Sequence, residues 1–396
     1  MNTPPIITDA RSLAALVQHL STETLLAFDT ESNSLFAYRE RVCLIQVSTR
    51  AADYLIDPLA IDSLEPLRPI FASRAIEKVF HAAEYDVMCM KRDFGFEFNA
   101  LFDTMLAARV LGRKQFGLGA LLEEFFEVQA DKRYQKADWS LRPLPVEQLA
   151  YAQQDTHYLP QLRDLLHAEL AEKGRLREAG EMFEALARVP AADNQFDPEG
   201  YWRIHSARDF DRRQMAILRE LFLWRDQTAQ AQDVPPFKIM GDTALTGIVS
   251  QRPRTPHDLG DVRELSTHQL RRYTTPLLAA VDRGLSGPLP ARPERPRPLA
   301  PIVQARYDAL HTWRKEQAAA RGVESDVIMS KESMWAMARN PPFAPDDLDD
   351  VAGLGPWRRA EYGAAVIDLL AGVQLVEEGI QSTDGTAPNT PSESGS

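Results

Sequence analysis

One short pattern occurs twice in this chain. Residues 224–262 lie over residues 313–351 at a constant offset of 89, without gaps. The matching pairs include Trp224 and Trp313, Arg225 and Arg314, Ile239 and Ile328, Met240 and Met329, Pro253 and Pro342, and Leu259 and Leu348. Such a repeat specifies two copies of one supersecondary unit. The flanking runs DRRQMAILRELFLWRDQTAQAQ and STHQLRRYTTPLLAAVDR have the apolar spacing of amphipathic helices and no strand alternation. Two small all-α modules are therefore expected, over 205–285 and 301–377. The stretch 286–300 holds five prolines and is expected to be a stiff linker. Residues 378–396 are rich in Gly, Ser, Thr and Pro and are expected to form a disordered tail.

Residues 1–195 read differently, as mixed α/β. A helical stretch at 11–20 precedes the apolar run TLLAFDTES, and VCLIQVST and DYLIDP follow at strand-and-turn spacing. After the short strand KVFH, helix-like runs dominate: AAEYDVMCMKRD, ended by Gly95, then TMLAARVLG, LGALLEEFF and a long run that opens at Pro145. Three strands followed by alternating strands and helices imply a mixed sheet flanked by helices. No apolar run is long enough to span a bilayer, and no basic start with an apolar stretch marks a secretory signal. Cys43 and Cys89 sit singly inside apolar runs, which fits a reducing cytoplasm and neither a disulfide framework nor a zinc site. A monomer is the default expectation.

Net charge is −12, unfavourable at first sight for a nucleic-acid partner. The charge is unevenly spread, however, and residues 201–300 carry 16 basic against 11 acidic side chains. An acidic first half is also what an enzyme needs to hold magnesium.

The candidate chemistry lies in that first half. Asp29 and Glu31 end an apolar strand, and side chains two apart on a strand share a face. Two like charges there need a neutralising partner, for which a divalent ion is suited, unless the strand end is simply solvated. Asp86 sits in the first turns of a helix, where acids also collect for dipole reasons. Tyr151 and Asp155 are one helical turn apart and share a face. His157 lacks a second histidine at metal-ligand spacing and reads as a surface or capping residue. Asp103, just before a helical run, reads first as an N-cap.

DTES, HAAEYD and YAQQD, in this order and spacing, resemble the three exonuclease motifs of the DEDD superfamily, and Tyr151 resembles the mark of its DEDDy branch. The loop KADWSLRPL resembles the ribonuclease D segment before the third motif, and the repeated modules resemble HRDC domains. The likeness extends over about residues 5–375. It implies a ribonuclease-H-like α/β exonuclease domain followed by two HRDC-like modules. It also implies a 3′→5′ exoribonuclease that releases 5′-mononucleotides with two divalent ions, Mg²⁺ or Mn²⁺. By that resemblance, Asp29 bridges both ions, Glu31 and Asp155 hold the one that activates water, Asp86 serves the second, and Tyr151 orients the attacking water.

Leu35 matches a position that wedges between terminal bases in related exonucleases, with core packing as the alternative. His81 either approaches the scissile phosphate or is a satisfied core histidine. Arg252, Arg254, Arg271 and Arg272 are expected to touch backbone phosphates without reading bases. Arg358, beside the GLG of the second module, is a further phosphate candidate, and Trp224 and Trp313 are expected in the module cores rather than as base platforms. The family suggests RNA with a free 3′ end, precursor tRNA in particular, as partner. A DNA 3′→5′ exonuclease and a nonenzymatic nucleic-acid-binding protein are the alternatives.

Overall fold

Six strands form one mixed sheet: β1 (Ile6–Ile7), β2 (Leu25–Ser32), β3 (Val42–Ser48), β4 (Asp53–Ile56), β5 (Glu77–Phe80) and β6 (Leu101–Asp103). The coordinates are a computed structural model that describes residues 4–129, 131–293 and 298–384. The strand order is β1-β4-β3-β2-β5-β6. β2, β3 and β4 pair antiparallel as the expected meander. β5 joins the other side of β2 in parallel, β6 joins β5 in parallel, and β1 does the same beside β4.

Side chains along β2 alternate between two covered faces. Leu26 and Phe28 pack with Phe71, Phe80, Val87 and Met90. Leu25 and Ala27 face the other way, toward Val79, Phe102, Leu159 and Leu162. Cover on both faces is why the strand reads as an unbroken apolar run. Asp29 and Glu31 continue the series of Leu25 and Ala27, so they emerge on the face that carries the helix Val146–His157. That helix is seated over β3 by Leu149 and Ala152, which cluster with Leu44, Leu55 and Trp139. Ser48 Oγ and Thr156 Oγ1, 2.7 Å apart, add a polar tie.

The helix Glu84–Phe94 ends at Gly95, whose φ of 65° is the left-handed cap that glycine adopts readily. Its start is held by Asp103. One carboxylate oxygen of Asp103 accepts from Leu106 N at 2.8 Å, and the other from Ala83 N at 2.7 Å. Asp103 thus caps its own helix, as expected, and also pins the entry to the helix that carries Asp86.

The repeat is visible atom by atom. Arg225 donates to Met240 O at 3.0 Å, and Arg314 donates to Met329 O at 3.0 Å. Trp224 meets Tyr273 edge-on at 5.3 Å, and Trp313 meets Tyr362 edge-on at 5.5 Å. Both tryptophans pack against module cores, as expected.

The two modules attach differently. The first has its own core. It reaches the catalytic domain through Tyr38, whose hydroxyl donates to Asp226 at 2.7 Å, and through Lys238, 4.1 Å from the Phe36 ring centre. The second module shares one continuous apolar core with the helices Thr104–Val110, Leu159–Glu172 and Leu176–Ala187. Arg321 pairs with the fully buried Glu178 at 2.5 Å, and Arg358 with Glu181 at 2.6 Å. Gly112, at φ 85°, lets the backbones close up, since a Cβ there would stand 2.5 Å from Gly322 O.

Two expected boundaries shift. The last helix runs past 378, to Asp384, so a disordered tail does not begin at 378; the next glycine in the sequence, Gly385, follows directly. Residues 385–396 lie outside the described residues. Ser286 still belongs to the helix Thr267–Ser286, and the second module opens with Pro301 in a first helical turn. Residues 294–297 of the expected linker are outside the described set.

Candidate active site

The site forms where β2 leaves the sheet core. Asp29 and Glu31 come from its final turns of pleat, and Asp155 descends from the helix Val146–His157. One carboxylate oxygen from each of these three residues lies within 4.8 Å of the other two. Asp86 approaches from the helix after β5 and is buried. It accepts a short hydrogen bond from the Thr30 hydroxyl, so the residue between the two strand acids holds the acid of the second motif. In the sequence, Thr30 is marked only by its position inside DTES.

This arrangement is electrostatically loaded. Burial, then the charges of Asp86, Asp155 and Glu31, holds Asp29 well above the usual carboxylate range. Burial and the charges of Asp155 and Asp86 push Glu31 up to about 9. Burial, with Asp86, lifts Asp155 to about 7. Burial raises Asp86 to about 6, against the opposing pull of the Thr30 hydrogen bond. Hard oxygen donors that resist ionisation without a counter-charge fit divalent cations of the magnesium type.

Tyr151 stands one turn before Asp155, its ring 6.0 Å from both Trp139 and Tyr134. Burial and the nearby acids raise its hydroxyl pKa above that of free tyrosine, so it stays protonated at neutral pH. A cleft of about 740 Å³ opens beside the acids, lined by His81, Gly117, Lys132, Tyr151 and Asp155.

His81 has a defined tautomer. Thr104 Oγ1 donates to Phe80 O at 3.1 Å, so its contact with His81 Nδ1 at 2.9 Å is received from the ring N–H. Nε2 is therefore a lone-pair acceptor. Burial lowers the His81 pKa to about 4, which leaves the ring neutral. In this state His81 offers Nε2 to a substrate hydroxyl or water.

Leu35 is 40% exposed, on the loop between β2 and β3 that Tyr38 ties to the first module. The four arginines expected on phosphates all lie on that module. Arg252 is paired with Asp211 at 2.8 Å, and Arg272 donates to Gln232 at 3.0 Å. Arg254 lines a separate cleft with Leu278 and Asp282. Arg271 is exposed on the helix Thr267–Ser286. The expected phosphate at Arg358 is replaced by a protein carboxylate: Glu181 accepts from Trp357 N at 2.7 Å as well as from the guanidinium. His157 is bonded to Asp53 at 2.8 Å and takes no part in the acid cluster.

Residues 4–171 match the 3′-5′ exonuclease family, and residues 214–281 and 303–370 each match the HRDC domain. A ribonuclease D of Jannaschia sp. (strain CCS1) is 33% identical over 394 residues, which span 95% of this chain and 98% of that one. The chain belongs to the ribonuclease D family. A ribonuclease D of Nitrobacter hamburgensis is 30% identical, over 93% of this chain and 95% of its own length. Among solved structures, Escherichia coli RNase D superposes with a TM-score of 0.69 at 26% identity, covering 94% of this chain and 99% of that one. The catalytic core of RRP6 from Trypanosoma brucei superposes at 0.63 with 29% identity, over 72% of this chain and 83% of that one. Family membership agrees with the α/β exonuclease domain and paired helical modules expected from the motifs. Among the described residues, no helix is long and apolar enough to cross a membrane.

Proposed function

We propose that this 3′→5′ exoribonuclease of the DEDD superfamily removes 5′-mononucleotides from RNA with two divalent ions held by Asp29, Glu31, Asp86 and Asp155. The observation that carries the reading is the convergence of the Asp29, Glu31 and Asp155 oxygens within 4.8 Å of one another. When bound, Mg²⁺ or Mn²⁺ supplies an activated water, charge stabilisation at phosphorus and a stabilised leaving oxygen. The protein's own side chains do the remaining work. Thr30 fixes Asp86 by its hydroxyl. The protonated Tyr151 hydroxyl orients the attacking water rather than taking its proton. His81 accepts a hydrogen bond from a ribose hydroxyl in the cleft, and Leu35 wedges against the terminal base. Precursor tRNA is the substrate the family suggests, and a monomer working in the cytoplasm is the accompanying reading.

The test compares matched RNA and DNA oligomers, with Mg²⁺ and with chelator, for the wild type and Asp29→Asn. RNA with a free 3′ hydroxyl should be shortened from that end only with metal. Asp29→Asn should lose at least about a thousand-fold in rate, equivalent to ~4 kcal/mol of barrier, while still binding RNA. Digestion by the variant within about tenfold of wild type would remove Asp29 from the mechanism. Preference for the DNA oligomer would favour a DNA exonuclease with the same chemistry.

A further inference from the structure

Gln46 lies on β3 directly opposite Asp29 of β2. Such cross-strand partners project from one face, with Cβ atoms about 4.5–5.5 Å apart. Gln46 is fully buried, and neither its amide oxygen nor its amide nitrogen has a hydrogen-bond partner. Its neighbours in register offer none. Its partner on β4 is Leu55, and Leu44, two residues along, is buried in the same apolar cluster. Ser48, two residues the other way, is engaged with Thr156. An amide with both ends idle in a protein interior is costly, and methionine would fill the same space without that cost. The group nearest in register that can use a donor is the Asp29 carboxylate. A carboxylate that binds cations spends some lone pairs on the ions and gains a fixed orientation when a neighbour donates to the rest.

We propose that Gln46 is a positioning residue of the metal centre. With divalent ions bound and Asp29 ionised, the Gln46 side-chain N–H donates to the Asp29 carboxylate and holds it in its ligating orientation. This role rests on the metal-binding reading of the four acids given above. The competing arrangement is a buried water joining Gln46 to the Trp139 indole N–H, which is also unpartnered.

The test uses the full chain with Gln46→Met, and Asp29→Asn in parallel. Mn²⁺ affinity is measured by calorimetry, the unfolding midpoint is measured without metal, and kcat and KM are measured on RNA. Gln46→Met should weaken Mn²⁺ binding by about 10–100-fold. Its metal-free midpoint should stay level or rise, because an idle polar group has been removed, and kcat should fall while KM for RNA holds. Unchanged Mn²⁺ affinity overturns the proposal, and a lowered metal-free midpoint alongside it identifies the water bridge. If Asp29→Asn binds Mn²⁺ as tightly as wild type, the metal-binding reading itself fails; if Asp29→Asn loses binding and Gln46→Met keeps it, only the role of Gln46 fails. Should Gln46→Met not fold, hydrogen exchange of the Gln46 side-chain amide in the wild type decides by NMR. Slower exchange on adding Mg²⁺ supports the donation to Asp29, and an unchanged rate overturns it.

Discussion

Four carboxylates crowded at the end of one strand change the protein's response to pH. Without metal, burial and mutual repulsion put Asp155 at about 7 and Glu31 at about 9, against ordinary values of 3.8 and 4.5. The folded chain then holds more protons than the unfolded chain, so stability falls as pH rises from about 4 toward 9. Divalent ions compete with those protons. Thermal midpoints measured across pH should therefore decline for the metal-free protein and decline less with saturating Mg²⁺, and Mg²⁺ affinity should rise with pH over the same window. Tyr151→Phe keeps the ring against Trp139 and Tyr134 but removes the hydroxyl. It should lower kcat by about 10²–10⁴-fold with little effect on RNA binding, and unchanged turnover would remove the hydroxyl from the mechanism. Asp29 and Glu31 were legible in the sequence because a two-residue period on a strand forces a shared face. Gln46 was not, since one polar residue inside VCLIQV says nothing of which residue lies across the sheet. Nor could the sequence show that Arg358 faces Glu181, which is 177 positions away along the chain.

At the scale of elements, the strongest local signals held. The meander, the helix ended by Gly95 and the helix opening after Pro145 all follow from apolar spacing and cap chemistry. β1 and β6 went unseen because two and three residues are too short to display alternation. The long run after Pro145 breaks at Tyr158 into two helices, although its apolar spacing continues through the break. Asp103 shows how one residue can govern two elements. Its carboxylate serves the amides of both Leu106 and Ala83, so Asp103→Ala removes a cap and strands a buried N–H. The cost should be about 2–4 kcal/mol in urea unfolding, more than an ordinary cap. A loss below about 0.5 kcal/mol would show that the two helices do not depend on it.

At the scale of the whole molecule, the two repeats share an internal plan and differ in attachment. Trp224 and Trp313, with Arg225 and Arg314, build the same internal contacts, which is why the repeat could be read from the sequence. Their docking could not, because it depends on residues outside the repeat, such as Tyr38, Glu178 and Glu181. The first module is tied to the catalytic domain through the loop that carries Leu35. The second completes the apolar core of the catalytic domain, and Glu178 is buried against Arg321 at that junction. The chain therefore has a seam in the manner of a permanent two-subunit assembly, with a covalent strap that the seam does not need. A single protease nick between residues 286 and 300 should release nothing. The two fragments should co-elute on gel filtration and still degrade RNA, until denaturant separates them.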